Sequence, residues 1–246
     1  MSRLFIIMFL SIFPRTFSIK QNKASLTCLT SISSKIGVEA KTLGQQVYID
    51  ALLAKDIPVV ACVGSAGSGK TLLACDAFTK LFAAGQYKRL IITRPSLPVE
   101  GENLGFLPGG LQDKMDPFTK PIFDILGDYY SVGQMKNMVE NRVIEVVPLA
   151  FMRGRSFHHS FVLADEMQNA SPRQFQMLMT RLGSGSKMVI TGDLAQTDFG
   201  VGNGLADFCN RYEREVLDGA SLCFLRGEDV QRSAFAKKVV QWYREP

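Results

Sequence analysis

The sequence has few of the residues that build metal centres and disulfide frameworks. It contains two histidines, His158 and His159, which are adjacent, so their side chains point in different directions. The cysteines are odd in number and widely spaced, without a C-x-x-C pair, which is typical of buried thiols in a reducing compartment. We therefore expect free, buried thiols and neither a disulfide framework nor a histidine–cysteine metal site. The five cysteines are Cys28, Cys62, Cys75, Cys209 and Cys223.

Acidic residues are absent from the first 38 positions, and the first acid is Glu39. Five of the 28 basic residues lie in this segment, which leaves 23 in the rest of the chain, the same number as the acidic residues. The net charge of +5 therefore belongs to the N-terminal segment, and the body of the chain is neutral. A protein-wide basic surface for nucleic acid is not indicated by this distribution.

The sequence also lacks, near its N-terminus, an apolar run long enough to span a membrane. The run Leu4–Phe13 is too short for a span but suits the hydrophobic region of a signal peptide. The stretch after it is rich in Ser, Thr and Lys, as transit peptides are, so we read residues 1–35 as a targeting leader. The two signals together would fit import into a plastid within a secondary endosymbiont, and the alternative is a disordered or mis-started N-terminus.

The most informative stretch follows the pattern G-x-x-x-x-G-K-T, the P-loop. The apolar run 58–63 precedes it and a segment with helical spacing, 72–82, follows it, so a strand, a glycine loop and a helix come in the order that a phosphate cradle needs. Backbone N–H groups of such a loop and the positive end of the helix dipole bind phosphate. Lys70 is expected to reach the β- and γ-phosphates of ATP, and the Thr71 hydroxyl to ligate Mg²⁺. The eight residues are Gly64, Ser65, Ala66, Gly67, Ser68, Gly69, Lys70 and Thr71.

A second informative stretch is an apolar run, 161–164, that ends in Asp165 and Glu166. Two acids at the end of a buried strand have the form of a Walker B motif, and in open parallel sheets the carboxyl ends of strands face the ligand crevice. Asp165 is expected to hold Mg²⁺, and Glu166 to orient and deprotonate the attacking water. The alternative is an acidic turn after a core strand.

Three polar residues are weaker candidates. Gln45 lies on a predicted helix, 42–54, where it could hydrogen-bond an adenine edge or simply form part of a solvated face. Asp193 and Gln196 follow the predicted strand 187–191, and they would lie beside the γ-phosphate if that strand neighbours both motifs. A plain turn is the alternative.

The predicted strands alternate with predicted helices and are continuous apolar runs. This pattern favours an α/β fold with a parallel sheet covered by helices on both faces. The segment 111–130 is helical in pattern but is expected to break near Pro117 and Pro121, and a helix 230–243 is expected at the end.

Several blocks of the sequence resemble the PhoH family of P-loop ATPases. The resemblance covers residues 42–243, and two blocks are more specific than the P-loop itself. These are Leu104-Gly105-Phe106-Leu107-Pro108-Gly109 and Pro148-Leu149-Ala150-Phe151-Met152-Arg153-Gly154-Arg155. The others are Thr42-Leu43-Gly44-Gln45, Thr93-Arg94-Pro95, Asp165-Glu166-Met167-Gln168-Asn169 and Thr191-Gly192-Asp193.

The resemblance implies a single RecA-like domain over residues 36–246, related to superfamily 1 helicase cores, with ATP and Mg²⁺ as ligands. It also implies a cytoplasmic protein, whereas the leader suggests an organelle. Where the family usually has Arg-His-Pro near its C-terminus, this chain has Val230-Gln231-Arg232-Ser233, so the arginine is kept and its neighbours differ.

These features together predict ATP hydrolysis by in-line attack of water. A single RecA-like domain forms one wall of such a site, so we expect a homo-oligomeric ring, with a hexamer among the candidates, and an arginine reaching across. The candidates are Arg153, Arg155 and Arg232, with Arg232 first by resemblance.

The sequence leaves open what ATP hydrolysis is used for. It could drive movement along RNA or single-stranded DNA, for which Arg153, Arg155, His158, His159 and Arg173 form a local basic stretch. A slow nucleotide-gated switch is the alternative, and a small-molecule P-loop kinase is a third, disfavoured by the acidic pair and by the helicase-like Gly192-Asp193. We expect no stable membrane insertion.

Overall fold

The computed structural model describes residues 37–95, 111–197 and 202–231 together with Phe235 and Trp242, with the backbone alone for 111–118. In this part of the chain, six strands form one sheet with the order β3-β2-β4-β5-β1-β6, and every neighbouring pair is parallel. The strands are β1 (Val59–Gly64), β2 (Arg89–Thr93), β3 (Ile144–Val146), β4 (Ser160–Ala164), β5 (Lys187–Gly192) and β6 (Ala220–Leu225).

Helices connect these strands, and three short 3₁₀ turns follow β3, β4 and β6. The helices are α1 (Leu43–Leu53), α2 (Lys70–Ala83), α3 (Leu111–Gly127), α4 (Val132–Glu140), α5 (Pro172–Met179) and α6 (Gly204–Arg214). The 3₁₀ turns are Leu149–Met152, Met167–Asn169 and Gly227–Asp229.

One sequence-based expectation about the helices was wrong, and one helix was not predicted. The backbone of α3 runs as one helix through Pro117 and Pro121, so the predicted break is absent. Helix α4 was not predicted, although its start carries a capping box in which Ser131 and Gln134 bond each other's backbone N–H groups. The predicted terminal helix falls almost entirely outside the described residues.

The sheet is buried on both faces, as the continuous apolar strands predicted. Alternate residues of each strand point into two separate clusters. One cluster packs α1, α2 and α3 on the sheet, with Tyr48, Phe78 and Ile122 among its fully buried side chains. The other packs α5 and α6, through Phe175 and Leu205, on the opposite face. The predicted α/β fold, a parallel sheet with helices on both faces, is confirmed.

The strand order brings the informative loops to one edge. β5 lies between β1 and β4, with Cys62 opposite Thr191 and Ala164 opposite Ile190. The condition stated for Asp193 and Gln196, that the strand before them neighbours both motifs, is therefore met. Because parallel strands end at the same edge, the loops after β1, β2, β4 and β5 converge there.

One charged side chain anchors the first helix to the sheet. Lys187 starts β5 and is 1% exposed, and its ammonium group donates to the backbone oxygens of Ala51, Ala54 and Ile57 at 3.1, 2.8 and 2.7 Å. Burial lowers the pKa of Lys187 to about 8, so at pH 7 the side chain still carries three donors for three carbonyls. The contact closes the carboxyl end of α1, where backbone carbonyls have no helical partner.

The four described cysteines are free and buried, as expected. Burial raises the pKa of Cys209 to about 12 and that of Cys223 to about 11, and it raises the pKa of Cys62 and Cys75 as well. Because the thiolate is the reactive form, these four thiols are poor nucleophiles. Cys28 lies outside the described residues.

Among the helices that the structure describes, none has the length and apolar character needed to cross a membrane. The predicted leader, residues 1–35, lies outside the described part of the chain, so its role and the domain boundary stay predictions.

Candidate active site

The P-loop connects β1 to α2 in the predicted order. Gly67 and Gly69 have φ values of +82° and +94°, a left-handed conformation that glycine adopts without steric cost. Ser68 is fully buried, and its hydroxyl donates to the Ser65 oxygen at 2.8 Å, which fixes the curl of the loop. Helix α2 begins at Lys70, so its positive end faces the concavity of the loop.

Lys70 curls back onto the same loop. Its ammonium group donates to the oxygens of Gly64 at 2.6 Å and Ser65 at 3.1 Å. On the other side of the helix start, the Tyr48 hydroxyl donates to the Lys70 oxygen at 3.3 Å. The flexible side chain of Lys70 thus lies over the loop, where a bound phosphate would need a cation.

The two predicted motifs meet at Thr71 and Asp165. The Thr71 hydroxyl donates to Asp165 Oδ1 at 3.1 Å, and Asp165 is 1% exposed. The Thr191 hydroxyl, from the end of β5, donates to the same oxygen. Mg²⁺ in such sites is held by one or two protein oxygens, substrate phosphates and waters, and a hydroxyl beside a carboxylate fits that requirement. Thr71 and Asp165 are therefore the residues that could hold it.

Arg94 is a site residue that the sequence reasoning did not assign. It follows β2 directly, and its Nε donates to Asp165 Oδ2 at 3.1 Å, while Nη2 donates to the same oxygen. Nη2 also lies 3.9 Å from Glu166 Oε1. The signal available in the sequence was an arginine at the end of an apolar strand, but its meaning depends on β2 lying next to β4.

Glu166 has a left-handed backbone, with φ of 57°, which is uncommon for a residue other than glycine. Its side chain is 46% exposed, so water can reach it. Gln168 lies behind it and is 1% exposed: its Nε2 donates to Glu166 Oε2 at 2.5 Å, and its Oε1 accepts from the Asp193 N–H at 3.0 Å. Gln168 was also missed, because its role depends on β5 adjoining β4.

Asp193 lies at the tip of β5 and reaches the P-loop. Its Oδ2 accepts from the Ala66 N–H at 3.2 Å, and its Oδ1 accepts from the Ala195 N–H at 3.0 Å. The side chain of Gln196 is exposed, and its backbone oxygen accepts from Gln168 Nε2 at 3.4 Å. Asp193 thus contacts the P-loop and Gln196 lies in the turn that follows it, and their place beside the γ-phosphate and their sensing role stay predictions.

Gln45 is buried rather than on a solvated face, with 4% exposure. Its Nε2 donates to the oxygens of Ser68 and Asp229 at 3.0 and 3.2 Å, and its Oε1 accepts from the Lys41 N–H at 2.9 Å. Contact with adenine would require some of these bonds to break. In this arrangement Gln45 ties the P-loop to the segment after β6, whose residue Gln231 also donates its N–H to the Gly67 oxygen at 2.9 Å.

The three arginines proposed to reach a neighbouring copy have different environments. Arg155 is engaged within the chain by Glu145, at 2.8 and 3.1 Å, and its guanidinium lies over the Phe157 ring. Arg153 is exposed, and Arg232 lies outside the described residues. The predicted basic stretch is divided, because His158 and His159 precede β4, at the edge of the sheet opposite to the P-loop.

Comparison with known proteins found relatives of similar sequence. The family model described as PhoH-like protein matches residues 37–244. A PhoH-like protein of Synechocystis sp. is 41% identical over 216 residues, which cover 84% of this chain and 62% of the relative. A PhoH-like protein of Bacillus subtilis is 41% identical over 211 residues, covering 84% and 64%. The chain thus spans less than two thirds of the length of these relatives. Among solved structures, the Pif1 helicase from Candida albicans is similar with a TM-score of 0.42 and 13% identity, over 84% of this chain and 44% of that one.

Proposed function

The chain belongs to the PhoH family, and on that premise we propose that it binds ATP with Mg²⁺ and hydrolyses it to ADP and phosphate. The observation that carries the proposal is the 3.1 Å contact between Thr71 Oγ1 and Asp165 Oδ1, which joins a phosphate cradle to an acidic strand end. A P-loop with a paired carboxylate at this distance is the arrangement that nucleotide hydrolysis needs.

The residues of the chain divide the work. The N–H groups of the P-loop and the ammonium of Lys70 bind the β- and γ-phosphates, and Thr71 with Asp165 would hold Mg²⁺, which neutralises phosphate charge when bound. Glu166 positions a water in line with the bond between the γ-phosphorus and the oxygen that bridges it to the β-phosphate. As the water oxygen bonds to the γ-phosphorus, this bond breaks, ADP leaves, and Glu166 accepts a proton from the water. Gln168 holds the carboxylate of Glu166 from behind, at 2.5 Å.

Replacement of Lys70 tests nucleotide binding directly. Lys70→Ala removes the cation that lies over the loop, and we expect ATP affinity at least about tenfold weaker, because a charge-assisted contact to phosphate is lost. Binding is measured by titration calorimetry of the full chain, and phosphate release is followed in parallel. Lys136→Ala, an exposed lysine in α4 whose side chain is 75% exposed, serves as the control. Equal affinity of the Lys70 variant and the wild type would refute the proposal.

We further propose that hydrolysis is coupled to RNA or single-stranded DNA at the surface formed by Phe151, Arg153 and Arg173. The 3₁₀ turn of Leu149–Met152 packs into the core through Leu149 and Met152, which are buried, whereas Phe151 is 61% exposed. Arg153 follows this turn directly, and Arg173 lies in the first turn of α5; both are exposed. The 3₁₀ turn packs against α5, and an exposed ring with cationic side chains on neighbouring elements suits base stacking.

The coupling is tested by phosphate release with and without single-stranded RNA or DNA. We expect the nucleic acid to stimulate phosphate release by the wild type. In Phe151→Ala we expect the free energy of nucleic-acid binding to be weaker by about 1–3 kcal/mol, the usual contribution of one stacked base. Val132→Ala, at an exposed apolar residue of α4, is the control. Absence of stimulation would favour the alternative, a slow nucleotide-gated switch. We also infer that identical copies form a ring that covers the open side of the site. A monomer whose rate of ATP hydrolysis does not fall on dilution would refute this inference.

A further inference from the structure

Arg94 is the one cation in the described part of the chain that contacts the metal-holding carboxylate. Its Nε lies 3.1 Å from Asp165 Oδ2, Nη2 donates to the same oxygen, and its side chain is 15% exposed. A guanidinium paired with a buried carboxylate forms strong charge-assisted hydrogen bonds. Asp165 therefore helps to hold Arg94 in place, and this hold weakens when positive charge is added beside Asp165.

The carboxylate of Asp165 has little capacity for further partners. Oδ2 takes Arg94, and Oδ1 takes the hydroxyls of Thr71 and Thr191. If Asp165 ligates a divalent cation, that charge lies within a few ångströms of the guanidinium, and two like charges at about 4 Å repel each other strongly in a shielded site. Arg94 then loses much of its attraction to Asp165.

The guanidinium of Arg94 also lies close to Glu166. Nη2 is already 3.9 Å from Glu166 Oε1, and Thr93, the residue before Arg94, is held in β2 by the Asp165 N–H at 3.0 Å. The peptide bond between Thr93 and Arg94 is thus held at the sheet, so the proposed transfer requires movement of the side chain alone. In the proposed mechanism the terminal phosphoryl group lies between Lys70 and the water held by Glu166, so it is the new anion within reach.

We propose that Arg94 transfers from Asp165 to the terminal phosphoryl group of ATP and stabilises its charge during hydrolysis. This inference rests on the proposed function. It assigns the arginine of the site to the same chain, so that no arginine from a neighbouring copy is required. A positioned guanidinium that contacts the transferred group lowers the barrier by electrostatic stabilisation.

The test compares Arg94→Gln with Arg89→Gln. Glutamine keeps an N–H donor for Asp165 but removes the charge. Arg89 is the first residue of β2, at the end of the strand away from Arg94, and its Nε donates to Ser160 Oγ at 3.0 Å, so it is a matched control. Binding of ADP–aluminium fluoride, which mimics the transferred group, and of a non-hydrolysable ATP analogue is measured by calorimetry in the presence of Mg²⁺.

We expect Arg94→Gln to bind ADP–aluminium fluoride at least about a hundredfold more weakly and the ATP analogue within about threefold of the wild type. Arg89→Gln should change neither. A purely structural Arg94 would weaken both ligands equally or neither, and either result overturns the inference. Thermal melting monitors folding, and if Arg94→Gln fails to fold, Arg94→Lys, which keeps a charge but loses the planar fork, must show the same selective loss.

A mixed-variant assay separates action within one chain from action across an interface. Arg94→Gln and Glu166→Gln are mixed in equal amounts, and phosphate release is measured. We expect no recovery of activity, because both groups serve the same chain; recovery would place the arginine in a neighbouring copy and overturn the inference. A wild-type protein that neither binds nor hydrolyses ATP would instead refute the proposed function, and an active wild type with an unaffected Arg94→Gln refutes only the role of Arg94.

Discussion

Glu166→Gln is expected to bind ATP as the wild type does and to hydrolyse it at least about a hundredfold more slowly, as the loss of a general base implies. The amide has the size of the carboxylate, so it can still accept a hydrogen bond from Gln168, which now contacts Glu166 Oε2 at 2.5 Å. It cannot accept the proton of the attacking water. The Thr71 and Asp165 contacts that would hold the metal do not involve this side chain.

The measurement pairs single-turnover phosphate release with calorimetric titration of ATP. Glu140→Gln is the control, because this glutamate of α4 has a side chain that is 59% exposed and pairs with Lys136, four residues before it, at 3.9 Å. A Glu166 variant that hydrolyses at the wild-type rate would show that another group takes the proton. A Glu166 variant that no longer binds ATP would show that this side chain contributes to ATP binding itself.

Lys187→Met is expected to lower the free energy of unfolding by about 3 kcal/mol, which is the cost of leaving buried carbonyls without donors. Methionine matches lysine in length and fits the apolar surroundings, so the change isolates the ammonium group. That group serves three backbone oxygens, at 2.7, 2.8 and 3.1 Å, at the end of α1 and in the loop before β1. The stability of the connection between α1 and β1 therefore depends on one side chain from β5.

Urea unfolding of the full chain, followed by circular dichroism, measures this effect. Lys136→Met, at a lysine whose side chain is 75% exposed, should change the stability by no more than about 0.5 kcal/mol. If the Lys187 variant were as stable as the wild type, water would have to replace the ammonium at all three oxygens, and the anchoring role would be wrong.

The local patterns of the chain correctly predicted the strand, loop and helix of the P-loop and the strand before Asp165 and Glu166, because each pattern lies in consecutive residues. The glycines of the loop, the apolar strand before it and the helix after it are sufficient to form the P-loop. Asp165 and Glu166 likewise follow their own strand. Their meeting at 3.1 Å required only that the two strands end at the same edge of one sheet.

The supporting residues could not be predicted in the same way, because their roles depend on strand order. Arg94 contacts Asp165 only because β2 lies beside β4, and Gln168 reaches Asp193 only because β5 is inserted next to β4. The sequence indicated only that Lys187 starts a strand. Its anchoring role could not be predicted, because its carbonyl partners lie more than a hundred residues earlier in the chain. The burial of Gln45 arises in the same way from the packing of α1 against the segment after β6.

Residues that follow the last strand, β6, also hold the P-loop in place. Gln45 bonds both Ser68 and Asp229, the Thr42 hydroxyl bonds the Asp229 carboxylate, and the Gln231 N–H bonds Gly67. A fragment that ended at Leu225 would keep all six strands. Of these hydrogen bonds it would keep only the one from Gln45 to Ser68. Truncations made to find a minimal ATP-binding unit should therefore retain the chain through Gln231, since the loop is held by residues that a boundary drawn at the sheet would discard.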